Sequence, residues 1–319
     1  MFFGNIPVRV AEIVEETATI KRFKLVPIEN KPLPVFGGGA HITTNIQNGE
    51  EVLERNYSLI SHPTNQRDSY EIAISLNPRS LGGSLYWHTQ MQIGDELEIS
   101  LPKNQFALSY QAKHHVFFAA GIGITPFLTM IEDLQSEEKT FELHYAAKSK
   151  ELCAFYDVLT ELYPGQVHFY FSEEGNKLIP DIMEEFTIGT HVYFCGPNQM
   201  VTEFTAAARS YGYPEKGIHF EIFSPPVYEQ MDAFQVTLQE SNQVFDVPEG
   251  ATLLDTLLEH GVKARYSCKA GGCGSCEIEV LEGEVEHRDM FYSDEERKDK
   301  QVILSCVSRA KSKKLVLNL

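Results

Sequence analysis

The sequence contains no run of about 18 consecutive apolar residues, the length that a membrane-spanning helix requires, so no membrane role is expected. It is also poor in basic residues: 27 lysines and arginines stand against 45 aspartates and glutamates, for a net charge of −18. The acidic residues are scattered rather than gathered in a tail, which argues against nucleic acid or an anionic membrane surface as the main partner. The opening stretch MFFGNIPVRVAEIVEE lacks the basic segment and long apolar core of a secretory signal, so a cytoplasmic protein is expected. No internal repeat or low-complexity tract is present, and no repeat architecture is expected. Cysteine is sparse, six in 319 residues. In a long chain with no secretory signal such a set is read as metal-binding or redox-active rather than as a disulfide framework.

What is there divides into three rhythms, in a chain too long for one ordinary core. Residues 1–107 read as short β-rich runs separated by proline and glycine clusters, among them PVRVAEIVEE, ATIKRFKLVP, EVLERNYSLIS, SYEIAISL and DELEISLP. Strands at this spacing predict an antiparallel β-barrel. Over 108–226 the apolar run HHVFFAA suits a strand buried on both faces, and FLTMIEDLQS after it has helical spacing. FELHYAA, ELCAFYDVLTELY, QVHFYFS, HVYFCGP and MVTEFTAAARSYG continue the alternation, predicting a doubly wound α/β domain. FEIFSPPVYEQMD (220–232) reads as a linker. In 227–319, AFQVTLQE and QVFDVPEG read as a hairpin and TLLDTLLEHG as a short helix.

A cysteine loop follows that helix. CKAGGCGSC holds Cys268, Cys273 and Cys276, and Cys306 lies further on. This is the plant-type spacing of four thiolates on a [2Fe–2S] cluster. Gly271, Gly272 and Gly274 let the backbone wrap closely and turn its amides toward the anionic sulfurs. Zinc, which usually takes two short cysteine pairs, and a pair of disulfides are the competing readings. Cys153 falls on a predicted helix and reads as core.

AAGIGITP (119–126) joins a predicted strand to a predicted helix. Gly121 and Gly123 permit a tight turn and close backbone approach, Thr125 is expected to cap the helix, and Pro126 suits its first turn. The helix N-terminus would then offer N–H groups and a positive dipole end to a diphosphate, although the motif lacks the third glycine of the usual dinucleotide fingerprint. In FCGPNQM, Cys195 ends a buried strand, Gly196 supplies conformational freedom and Pro197 suits the first helical position. A ligand in an open α/β sheet binds at such a strand end, although a buried structural cysteine is the alternative there. In the barrel region, Arg55 suits a phosphate, Tyr57 a flat ring and Ser58 a hydrogen bond to it. Gly82 and Gly83 would bring amides to a phosphate, with the Ser84 hydroxyl beside them. Taken singly, each has an ordinary structural explanation.

In the order R-x-Y-S, G-G-x-S, G-I-G-I-T-P, C-G-P and C-x4-C-x2-C…C, these stretches resemble the phthalate dioxygenase reductase family, within the ferredoxin–NADP⁺ reductase superfamily. The resemblance covers essentially the whole chain. It implies a multidomain protein: a flavin-binding β-barrel, an NAD-binding α/β domain and a C-terminal α+β, β-grasp-like [2Fe–2S] ferredoxin domain. It implies FMN in preference to FAD, bound by Arg55, Tyr57, Ser58, Gly82, Gly83 and Ser84. Gly121, Gly123, Cys195, Gly196 and Pro197 would line the NAD site, with Thr125 between flavin and nicotinamide. Ser58, Thr125 and Cys195 would lie nearest the reacting atoms, and Phe223 would be the aromatic beside the flavin. Cys268, Cys273, Cys276 and Cys306 would hold the cluster.

The resemblance further implies a monomer that carries electrons from NADH through FMN to the cluster, and on to a Rieske-type terminal oxygenase. That oxygenase would be an aromatic-ring dioxygenase or a demethylating monooxygenase, the carnitine monooxygenase kind included. The flavin is needed because a nicotinamide gives two electrons together and the cluster accepts one. The cofactors carry this chemistry, and no side chain need act as a general base; Glu221 is a candidate for handling a proton, although a glutamate on a strand is ordinarily just solvated. Lys148 and Lys150, with Ser149 between them, leave NADPH open. Two other readings stand beside this one: a stand-alone reductase for a cytochrome P450 or small acceptors, and a ferredoxin-like carrier without catalysis.

Overall fold

In a strand successive side chains point to opposite faces. β1 (Ile6–Thr17) accordingly buries Val8 and Val10 and exposes Arg9 and Glu12 between and after them. The computed structural model describes residues 5–29, 31–49, 51–61, 67–77, 82–185, 187–224, 230–293 and 295–319. The chain divides into two compact units, Met1–Phe220 and Glu221–Leu319.

The first unit contains two sheets. β1, β2 (Ile20–Pro27), β3 (His41–Asn48), β4 (Glu51–Ser58), β5 (Tyr70–Ser75) and β6 (Glu96–Ile99) form an antiparallel sheet in the order β4-β3-β6-β1-β2-β5. A bridge from Leu59 to Ile72 joins its two ends, which curls it into the expected barrel. A short helix, α1 (Gly83–Thr89), inserts Trp87 into the barrel core, edge-on to Phe23 at 4.7 Å.

The second sheet is built from β7 (His114–Ala120), β8 (Phe141–Ala147), β9 (Val167–Phe171), β10 (Thr190–Cys195) and β11 (Ile218–Glu221), ordered β11-β10-β7-β8-β9. β10 with β7, β7 with β8 and β8 with β9 all pair in parallel. Helices α2 (Thr125–Ser136), α3 (Tyr156–Leu162) and α4 (Asn198–Ser210) connect these strands. α2 packs Phe127, Met130, Ile131 and Leu134 against Phe117 and Tyr193 of the sheet. The chain leaves β7 toward β8 and β9, then returns to add β10 on the other side. That reversal opens a crevice at the carboxyl ends of β7 and β10. Cys153 is buried as expected but precedes α3; it follows a 3₁₀ turn over Lys150–Leu152 in extended backbone.

In the second unit, β12 (Phe234–Leu238), β13 (Val244–Val247), β14 (Glu277–Glu282), β16 (Val302–Leu304) and β18 (Lys314–Leu317) form a mixed sheet in the order β13-β12-β18-β14-β16. β15 (Val285–Glu286) and β17 (Arg309–Ala310) pair separately. α5 (Leu253–Glu259) starts at Thr252, whose Oγ1 accepts the Asp255 amide at 3.0 Å, and it buries Leu253 and Leu257 with Val236, Ile278 and Leu315. α6 (Glu296–Asp299) is a single turn. Residues 225–229 of the expected linker lie outside the described residues.

His41, His115 and His219 of the first unit are each held down to about 4 against the ordinary 6.5, chiefly because burial penalises the charged ring. The folded state therefore binds fewer protons than the unfolded chain between those two values. Stability should be complete above about pH 6.5 and fall as the pH drops toward about 4. Thermal denaturation followed against pH checks this, and an unchanged midpoint from neutral pH to 5 would contradict it.

Candidate functional site

The barrel brings the two expected flavin stretches together. Arg55 lies on β4, and a Cβ placed on Gly83 would stand 2.7 Å from its Nε. The guanidinium therefore packs against the start of α1, beside Gly82 and Ser84. The bare Gly83 backbone is what leaves it room. The Ser84 hydroxyl accepts the Asn77 amide at 3.2 Å. Tyr57, two residues along β4 from Arg55, is half-buried and edge-on to Trp87 at 5.9 Å, and burial pushes its phenol up. Ser58 is 5% exposed, and its Oγ has no hydrogen-bond partner among the described residues. A buried hydroxyl left unpaired is costly. On the strand that also carries Arg55 and Tyr57, it fits the polar edge of a flavin. Leu81 of LGGSLYWH lies outside the described residues.

At the crevice, GIGI forms a 3₁₀ turn over Gly121–Ile124, with Gly121 at φ +56°. A Cβ on Gly123 would meet the Cys195 carbonyl oxygen at 2.2 Å and the Gly196 nitrogen at 2.7 Å. The two separate motifs are thus in backbone contact, an approach that only glycine permits. The Tyr145 hydroxyl pins the turn by donating to the Gly121 carbonyl at 3.1 Å. Three local expectations are corrected. α2 begins at Thr125 itself, which does not cap it and donates its hydroxyl to the Ile122 carbonyl at 2.9 Å. Gly196 serves close packing against Ala120 and Met200, with no left-handed backbone. Pro197 is the residue before α4, not its first.

In the second unit the cysteine sulfurs fall into two pairs. Cys276 and Cys306 lie 3.1 Å apart, and Cys268 is hydrogen-bonded to Cys273. None is in a disulfide. The Cys273 and Cys276 thiols are both lowered, each chiefly by the thiol hydrogen-bonded to it. Backbone amides close around the sulfurs: Ala270 and Gly272 toward Cys268, Ser275 toward Cys273 and Gly271 toward Cys306. Two thiolate pairs within a ring of amides fit two irons, each held by one pair. Gly271 and Gly274 have φ of +78° and +74°, and a Cβ on either would collide with Val307 or Phe291. Gly272 differs, since a Cβ there meets only ordinary contacts with Ile222.

Glu221, the proton-handling candidate, is not the solvated strand glutamate that was its ordinary alternative. Its Oε2 is buried with no hydrogen-bond partner among the described residues, and burial, followed by the charge of Cys273, pushes the carboxyl up to about 8. No local pattern in FEIFSPP marks a carboxyl as buried. Phe223 is 40% exposed and belongs to the second unit, so it is not among the residues that the first unit brings together.

Comparison with known proteins adds the family. Residues 236–311 match the 2Fe-2S iron-sulfur cluster binding domain, and residues 100–218 match the N-terminal domain of dimethylamine monooxygenase subunit DmmA-like proteins. The solved structure of phthalate dioxygenase reductase, which carries electrons from pyridine nucleotides to [2Fe-2S], superposes with a TM-score of 0.77 at 33% identity, covering 99% of this chain and 98% of that one. This chain belongs to the phthalate dioxygenase reductase family. It is a flavin-, NAD(H)- and [2Fe–2S]-dependent oxidoreductase, the reductase component of an oxygenase. The carnitine monooxygenase reductase subunit of Escherichia coli K12 is 40% identical over 316 residues, 98% of each chain. An intact type IV self-sufficient cytochrome P450 monooxygenase contains a matching part, with a TM-score of 0.79 and 31% identity over 99% of this chain and 41% of that one. No helix among the described residues is long and apolar enough to cross a membrane.

The contact at Gly123 gives a direct test. Gly123→Ala should slow reduction by NADH at least roughly tenfold while flavin and cluster absorption persist. Stopped-flow reduction at the wild-type rate would show that the turn is not part of the nucleotide site.

Proposed function

We propose that this chain is the NADH-dependent, FMN-containing reductase of a Rieske-type terminal oxygenase, and that the oxygenase demethylates or cleaves a small amine, as in carnitine monooxygenase. The observation that carries this reading is the full-length likeness to the carnitine monooxygenase reductase subunit, at 40% identity over 98% of both chains. Three functional modules serve it: 1–107 for flavin, 108–226 for NADH and 227–319 for the cluster, in a monomer working in the cytoplasm.

Arg55, with Gly82, Gly83 and Ser84, would hold the flavin phosphate. Tyr57 would flank the ring, and the unpaired Ser58 Oγ would bond its polar edge. Gly121, Gly123, Cys195, Gly196 and Pro197 would line the nicotinamide nucleotide, with Thr125 between the two and Phe223 beside the flavin. Bound flavin takes electrons from nicotinamide in pairs and releases them singly. The Arg55 guanidinium has a planar fork suited to a terminal phosphate, which supports FMN. In the 3₁₀ turn that follows β8, Lys150 rests its Nζ 4.4 Å over the Tyr156 ring, and Glu151 is hydrogen-bonded to Ser149. A carboxylate shortly after the second strand suits the free ribose hydroxyls of NADH.

The likeness to part of a self-sufficient P450 supports a second reading, with a P450 as acceptor. Turnover of the purified protein with a Rieske oxygenase and with a P450 separates the two.

The assignment is tested by the absorption spectrum before and after anaerobic NADH, with acid release of the flavin. FMN, two irons per chain and faster reduction by NADH than by NADPH are expected; released FAD, absent iron or a preference for NADPH would overturn the corresponding part. Cys306→Ser should keep bleaching of the flavin by NADH and lose transfer to a one-electron protein acceptor. Transfer at the wild-type rate would remove the cluster from the path.

A further inference from the structure

Behind the cysteine loop lies a carboxylate that none of the preceding chemistry uses. Asp289 is 3% exposed, and its side chain is fully enclosed. Burying an ionisable carboxyl is costly unless it is paired and hydrogen-bonded, and Asp289 is both. Its Oδ1 accepts from the Ser308 hydroxyl at 3.2 Å and faces His287 Nδ1 at 3.3 Å. Its Oδ2 accepts the Tyr292 amide at 3.0 Å and pairs with Arg297 at 3.7 Å.

These contacts tie together the two segments that carry the sulfurs. Ser308, two residues after Cys306, also accepts the Arg288 amide at 3.1 Å. On the other side, the Met290 amide donates to the Gly271 carbonyl at 3.1 Å, and a Cβ on Gly271 would lie 3.3 Å from the Asp289 Cα. The Gly271 amide is the one aimed at the Cys306 sulfur. Asp289 therefore braces the loop and the fourth cysteine against each other from behind, without touching a sulfur itself.

We propose that Asp289 is a positioning residue for the iron–sulfur cluster, and that its buried charge also lowers the reduction potential of that cluster. The inference rests on the cluster reading of the four thiols. A fixed negative charge in a poorly screened interior opposes the addition of an electron nearby, and cluster potentials follow local charge and hydrogen bonding. A lower potential makes the cluster a stronger donor to the protein that follows it.

The charge and the brace can be tested separately in the full-length holoprotein. Asp289→Asn keeps the shape and removes the charge. A redox titration followed by the EPR signal of the reduced cluster should show a positive shift of the cluster midpoint, with the flavin midpoint unmoved. Glu286→Gln, an exposed carboxylate on the neighbouring strand, should shift neither. Ser308→Ala keeps the charge and removes one bond to it. Its cluster should be lost to an iron chelator roughly tenfold faster with the midpoint unchanged. An Asp289→Asn midpoint equal to wild type overturns the electrostatic role, and a Ser308→Ala loss rate equal to wild type overturns the brace. Should Asp289→Asn fail to retain iron, the Ser308→Ala loss rate decides the brace, and the midpoint of Asp289→Ser, above wild type by the proposal and equal to it otherwise, decides the charge. A wild-type protein with no EPR signal on reduction would remove the cluster reading itself.

Discussion

The cysteine loop of the second unit answers to one electrostatic constraint: sulfurs that are to hold a [2Fe–2S] cluster must be anionic in a pocket that excludes much of the surrounding water. Thiolates in such a place need donors, and side chains are too bulky to supply them all. The backbone supplies them instead, by turning amides of residues 270, 271, 272 and 275 toward the sulfurs. That turn requires left-handed backbone at Gly271 and Gly274. The surrounding segments, held through Asp289 and Ser308, keep the loop in place.

A different constraint organises the first unit, namely close approach of backbone to backbone. Two loops that leave neighbouring strands, β7 and β10, meet where Gly123 faces the Cys195 carbonyl. The strand reversal brings them side by side, and the absence of a Cβ lets them touch. In the barrel, Arg55 and Gly83 repeat the arrangement, with an arginine side chain lying where a Cβ would otherwise be. Glycine in this protein is a device for proximity as much as for turning.

Much of this was legible in the chain. Short β-rich runs between proline and glycine clusters marked the barrel strands, the apolar run HHVFFAA marked a strand buried on both faces, and the spacing of Cys268, Cys273 and Cys276 pointed to the cluster. Local sequence read the helix starts less well. Thr125 looks like a cap by residue type, but the 3₁₀ turn before it already continues into α2, so its hydroxyl bonds back to Ile122. Cys153 sits in a stretch of helical composition, yet its backbone is extended, because the 3₁₀ turn ends before α3 begins. Glu221 looked like a solvated strand glutamate, since no pattern within its own segment records what packs over it.

The sequence by itself determined the class of chemistry: motif order and cysteine spacing are local properties, and the glycines needed for a cluster loop or a tight turn are written where they act. Only the tertiary structure decided which residues meet. The pairing of sulfurs two and two, the contact of Gly123 with Cys195, the unpaired hydroxyl of Ser58 and the enclosed carboxylate of Asp289 all depend on segments far apart in the chain. Their energetics come from burial, which is a property of the packed fold and not of any one stretch.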